Sequence, residues 1–119
     1  MRSIVCLLFA AVACAAETTP YRLQPGEGIG RHIAQGTAII YFDAPWCAPC
    51  KVAGPVMEQV ARDHGIRVIQ VDYDDHPVLV DRFEVDGVPF MVLVRDGSVV
   101  SRRSGVPTVE QVVQLVNAP

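Results

Sequence analysis

The chain has 119 residues, 50% of them hydrophobic and 19% charged, with a formal net charge of −3. That length fits one domain, and the apolar fraction argues against disorder. Lys51 is the single lysine among ten basic residues, so no basic stretch is available to grip a nucleic-acid backbone and no nucleic-acid partner is expected.

Residues 1–16 place Arg2 before an unbroken apolar or small-residue run from Ile4 to Ala16, with Ala11, Ala13 and Ala15 at alternate positions near its end. This pattern reads as a secretory signal peptide with an Ala-x-Ala cleavage site. A membrane anchor needs about 20 apolar residues, and Glu17 stops the run short of that. A buried core helix would show an amphipathic period, and none is present. Ala11-Val12-Ala13-Cys14 loosely resembles a lipoprotein box, which raises a lipid anchor at Cys14 as the minority alternative; Ala11 stands where that box usually has a large aliphatic residue. Cleavage after Ala16 removes Cys6 and Cys14, so the four cysteines of the full chain do not make a two-disulfide framework. What remains is roughly 100 residues, enough to bury over 60% of its unfolded surface without staples.

The chain after the presequence divides into an N-terminal segment, 17–36, and a domain core, 37–119. In the first, Tyr21–Leu23 suggests a short edge strand, and a weak helix ends near Gln35 with Gly36 as its stop. Gly26-Glu27-Gly28-Ile29-Gly30 invites a nucleotide-binding reading, but it neither follows a strong strand nor opens a long helix, so it reads as a flexible segment. Thr37–Phe42 is a continuous β-branched and apolar run, the pattern of a strand buried on both faces. A helix follows from about Cys47 or Ala48 to His64, kinked at Gly54-Pro55, with Val52, Val56, Met57 and Val60 expected to face a core. Ile66–Val71 is a second strand. The acidic run Asp72, Asp74, Asp75 reads as a solvated loop leading to a short helix at Val78–Phe83. Phe90–Val94 and Ser98–Arg103 form a hairpin about Asp96-Gly97. A last helix runs to Asn117, with Thr108 and Gln111 as its capping box and Val109, Val112, Val113 and Val116 as its buried face. The order (β)αβαβαββα predicts an α/β fold: one mixed sheet with helices on both faces.

Trp46-Cys47-Ala48-Pro49-Cys50-Lys51 lies where the buried strand gives way to the helix. Two cysteines three positions apart on a first helical turn reach the 5–6 Å Cα separation of a disulfide, to order of magnitude. At the helix N-terminus the unpaired N–H groups and the macrodipole favour the Cys47 thiolate. Cys50, one turn in, is expected to be shielded. That asymmetry suits Cys47 as attacking thiol and Cys50 as resolving thiol, with Pro49 stiffening the turn at no cost in hydrogen bonds.

At these residues the chain resembles the thioredoxin family. Trp46–Lys51 matches the family's Trp-Cys-x-Pro-Cys-Lys, Pro55 its helix-kinking proline, and Gly87-Val88-Pro89 its cis-proline loop. The Asp96-Gly97 hairpin, Gly105 and the last helix also fall at its spacings. The resemblance runs from Thr37 to Asn117 and weakens before Thr37, where the first strand and helix look truncated. It implies a thioredoxin fold, a thiol–disulfide oxidoreductase with Cys47 and Cys50 as its redox-active disulfide, and no dissociable cofactor. Trp46, Pro49, Val88 and Pro89 are then the residues that support the pair or dock substrate, with a cis Val88–Pro89 bond. Protein disulfides or dithiols are the implied substrates, with an unidentified redox partner. One departure stands out. Tyr41 and Gln70 occupy the positions where many members carry a buried Asp and a Lys, and Asp43 stands where the family places an aromatic residue.

Two plainer readings compete with redox exchange at the pair. A structural zinc site wants four ligands, and the chain beyond residue 16 has no second cysteine pair and no ligand spacing among His32, His64 and His76, so no metal is expected. A non-catalytic binding module holding a structural disulfide is the alternative from another functional class. The expectation is an exported, monomeric oxidoreductase, periplasmic or secreted.

Overall fold

The structure is a computed structural model and describes residues 19–119. The presequence and Cys14 lie outside those residues. The strands are β1 (Tyr21–Arg22), β2 (Thr37–Asp43), β3 (Arg67–Asp72), β4 (Phe90–Arg95) and β5 (Ser98–Ser104). The helices are α1 (Gly30–Ile33), α2 (Cys50–His64), α3 (Pro77–Arg82) and α4 (Val109–Asn117). One five-stranded sheet has the order β1-β3-β2-β4-β5. Strands β1, β3 and β2 run parallel, β4 is antiparallel to β2, and β5 is antiparallel to β4.

β2 occupies the centre, and every residue from Ala38 to Phe42 is buried, as its unbroken apolar run requires. Because side chains alternate along a strand, β2 feeds two cores. Ala38, Ile40 and Phe42 pack with Ile33, Leu79 and Phe83 on the face carrying α1 and α3. Ile39 and Tyr41 pack with Ala53, Met57, Val60 and Val112 on the face carrying α2 and α4. The chain thus has the mixed, doubly covered sheet of the thioredoxin fold.

The local signals act as their chemistry dictates. Asp96 and Gly97 take positive φ values of 49° and 83°, the pairing a tight hairpin needs. Gly65 closes α2 in the left-handed region, its N–H donating to the Ala61 carbonyl. At α4 both halves of the capping box are present: Thr108 Oγ1 accepts from the Gln111 N–H, and Gln111 Oε1 accepts from the Thr108 N–H.

Four expectations are corrected. Val52 is 60% exposed, and the buried stripe of α2 is Ala53, Met57, Val60 and Ala61. The helix begins at Cys50, after a turn at Ala48-Pro49 whose carbonyls accept from Lys51, Val52 and Ala53; that start fixes which residues meet the sheet. Nor is the Gly26–Gly30 segment loose. Glu27 accepts from the Gln24 N–H, the Tyr21 hydroxyl and Arg31, and its Oε2 lies 2.9 Å from His32 Nε2, while Ile29 is buried in the core. On α4, Val112 is fully buried and Leu115 joins Val109 and Val116 against the core, with Val113 only half-buried beside them.

Candidate active site

The C-terminal end of β2 delivers the chain into a tight loop, where the Cys47 N–H donates to the Ala44 carbonyl at 3.2 Å. Three residues later α2 begins at Cys50. Cys47 and Cys50 are disulfide-bonded, with their α-carbons 5.3 Å apart. The Cys50 N–H, one of the free donors at the helix start, points at Cys47 Sγ from 3.2 Å. The helix terminus therefore acts on this sulfur through a specific contact as well as through its dipole.

Burial does not separate the two cysteines. Cys50 is shielded as expected, at 7% exposed, but Cys47 is no less so at 4%, so the expected asymmetry between the two is not one of burial. What distinguishes them is position: Cys47 precedes the helix, while the Cys50 carbonyl turns down to the sheet and accepts from the Tyr41 hydroxyl at 3.4 Å. Pro49, the residue before the first helical one, is exposed.

The pair packs in a small apolar cluster with Ala44, bordered by Tyr73 and Val88. The Val88–Pro89 bond is cis. Pro89 is buried and its carbonyl accepts from the Gly105 N–H at 3.0 Å, so Val88 is the more exposed of the two. Trp46 is 65% exposed. Its indole N–H donates to Asp74 at 2.7 Å, and its ring meets Tyr73 edge-on at 6.3 Å. All six residues singled out from the sequence thus come to one end of the sheet.

Tyr73 and Asp74 were not among them. They follow the end of β3, in the stretch read as a solvated loop. Asp74 and Asp75 are exposed, as that reading expects, but it is corrected for Asp72, which is 9% exposed and whose carboxylate accepts from the N–H groups of Asp74 and Asp75. The resulting turn aims Asp74 at Trp46. The signal was Asp72 itself at the strand's end, since an aspartate side chain there can accept from the backbone N–H two residues on in an Asx turn.

Beneath the pair, register aligns Arg22, Gln70, Tyr41, Met91 and Arg103 in one row across all five strands. Tyr41 is 1% exposed. Burial, and next the charge of Asp43, hold its phenol above the ordinary tyrosine range. Gln70 donates to Asp43 Oδ2 at 2.6 Å, and Arg22 reaches the same oxygen at 3.5 Å. The positions 41 and 70 are neutral, yet a carboxylate stands beside them, two residues further along β2. Among the described residues, no group of three or more His, Cys, Asp or Glu is placed to hold a metal ion.

A protein-family model described as Thioredoxin matches residues 29–118. The chain is 34% identical over 92 residues to the thioredoxin of Chlamydia caviae, covering 76% of this chain and 90% of that one. It is 30% identical over 93 residues to the thioredoxin of Bacillus subtilis, covering 76% and 89%. Among solved structures it is similar to a point-mutant thioredoxin of Halobacterium salinarum, with TM-score 0.77, 27% identity, and coverage of 84% of this chain and 89% of that one.

Proposed function

The chain belongs to the thioredoxin family and is a thiol–disulfide oxidoreductase acting on protein disulfides, and from that premise we propose how its residues divide the work. Cys47 is the attacking thiol. Its thiolate attacks one sulfur of a substrate disulfide, that bond breaks, and the other substrate sulfur leaves as a thiolate that takes up a proton. Cys50, deprotonated, then attacks Cys47 Sγ in the mixed disulfide. The Cys47–Cys50 bond forms and the second substrate thiol departs. Two electrons pass from the protein dithiol to the substrate; the same steps in reverse oxidise a substrate dithiol.

The observation that carries this assignment is the Cys50 N–H aimed at Cys47 Sγ, which favours negative charge on that sulfur. Trp46, Val88 and Pro89 border the pair and form the surface on which a substrate chain lies, with Pro49 holding the turn. The test is a trap. With reduced Cys50→Ser, a mixed disulfide to insulin whose disulfides are intact accumulates through Cys47, and with Cys47→Ser neither the trap nor dithiothreitol-driven insulin reduction exceeds the uncatalysed level. Trapping through Cys50 in Cys47→Ser reverses the assignment.

Export is part of the same proposal, supported by the charge and small-residue pattern of residues 1–16. Expressed in full in a Gram-negative host, the protein released by osmotic shock should have the mass of a chain starting at Glu17. A chain retaining residues 1–16 in the cytosolic fraction contradicts export, and a diacylated chain starting at Cys14 replaces the soluble form with the lipid-anchored one.

A further inference from the structure

Beside the cysteine pair, α3 and the segment after it leave a groove of about 600 Å³. Tyr73, Val80 and Val85 give it an apolar floor, and Asp74, Asp81, Glu84 and Asp86 stand around it; no Lys or Arg lines it. The groove is continuous with the reaction centre, because Tyr73 also packs against the cluster of Ala44, Cys47 and Cys50. Two of the carboxylates are engaged within the chain. Asp74 holds the Trp46 indole, and Glu84 pairs with Arg102 at 3.0 Å. Asp81 and Asp86 form no ion pair among the described residues, and the neighbouring cation, Arg82, lies over the Phe83 ring instead.

We infer that this groove selects substrates that carry Lys or Arg within a few residues of the reacting cysteine. The inference deepens the reading of Cys47 as the attacking thiol and rests on it. A protein disulfide brought to Cys47 continues over Tyr73 into the groove, so its flanking residues meet the free carboxylates of Asp81 and Asp86. A cationic side chain lays its methylene stem on Val80 and Val85 and its charged end on the rim. An anionic one meets like charge. Opposite charge across such a surface raises the encounter rate and suppresses wrong partners more than it deepens the complex, so the preference belongs in kcat/KM.

The test compares two synthetic peptide disulfides of one sequence, flanked by Lys in one and by Glu in the other, with the wild-type mature chain and with Asp81→Asn/Asp86→Asn. The wild type should favour the Lys peptide on the order of tenfold at low salt, and the ratio should shrink as ionic strength rises. In the double variant the ratio should fall toward one; because it is taken within one protein, a general loss of activity or fold cancels from it. Equal kcat/KM for the two peptides with the wild type overturns the charge selection while leaving the redox assignment intact. A ratio unchanged in the double variant overturns the assignment to this groove. Failure of the wild type to reduce either peptide, with Cys47 untrapped, overturns the underlying reading itself.

Discussion

The backbone N–H of Cys50 points at the sulfur of Cys47, 3.2 Å away, from the first residue of α2. The contact persists in the reduced protein if the turn at Ala48-Pro49 keeps its hydrogen bonds to Lys51, Val52 and Ala53. An amide donor and a helix terminus both favour sulfur carrying negative charge. The Cys47 thiol should therefore titrate below the free-cysteine value of about 8.5. Thiolate absorbance, or the pH dependence of alkylation in the Cys50→Ser variant, measures it directly. A midpoint at or above the free value contradicts the helix-terminus argument.

Tyr41 gives the second prediction. Its hydroxyl donates to the Cys50 carbonyl, and its ionisation is pushed above the ordinary tyrosine range by burial and by Asp43. A phenol that keeps its proton throughout the working range does not serve as a proton acceptor for Cys50. Tyr41→Phe should therefore leave the inflections of the kcat/KM profile against pH in place. It should cost about 0.5–1.5 kcal/mol in stability, the usual contribution of one hydrogen bond. An inflection that disappears in the variant shows Tyr41 carrying a proton after all.

Glu27 gives a pH dependence of stability with a definite sign. The Gln24 N–H, then His32, Tyr21 and Arg31, bond its carboxylate and hold its pKa at about 2 against an ordinary 4.5. A depressed folded-state value means that the unfolded chain binds the proton first as pH falls. The stabilisation is thus complete above 4.5 and disappears as pH falls toward about 2. Urea denaturation across that window should show wild type and Glu27→Gln separated at neutral pH and converging in acid. A separation independent of pH would falsify the linkage.

How much of this was legible in the sequence depends on how local each determinant is. The Asp96-Gly97 turn, the Gly65 stop and the Thr108/Gln111 box are set by residues within four positions of one another, and their chemistry has one outcome. The cysteine pair was legible for the same reason. Tyr73 and Asp74 were not, because their role comes from Trp46, 28 positions away from Asp74. Glu27 was missed in kind: among glycines it reads as a loop charge, and only the fold brings Tyr21, Arg31 and His32 around it. The carboxylate of Asp43 was seen but assigned no partner, since Gln70 reaches it only through the β2–β3 register.

Val52 and Val60 make the last case, and a quantitative one. Both are valines of α2, and the sequence period admits both to a core face. The phase of that face depends on where the helix starts and on which residues lie over the sheet rather than beyond its end. Val52 sits in the first turn, next to the cysteine pair, and is 60% exposed; Val60, two turns on, is fully buried against Ile39 and Met57. Truncating Val60 to Ala removes two buried methyl groups and should cost about 2 kcal/mol, from roughly 0.8 kcal/mol per buried carbon plus a cavity contribution. Truncating Val52 to Ala should change stability by less than about 0.5 kcal/mol, as at other exposed positions. Alanine's better helix propensity there leans toward stabilisation. Urea denaturation of the two variants side by side separates the phases. Comparable losses at both positions place Val52 in the core and contradict the helix start at Cys50.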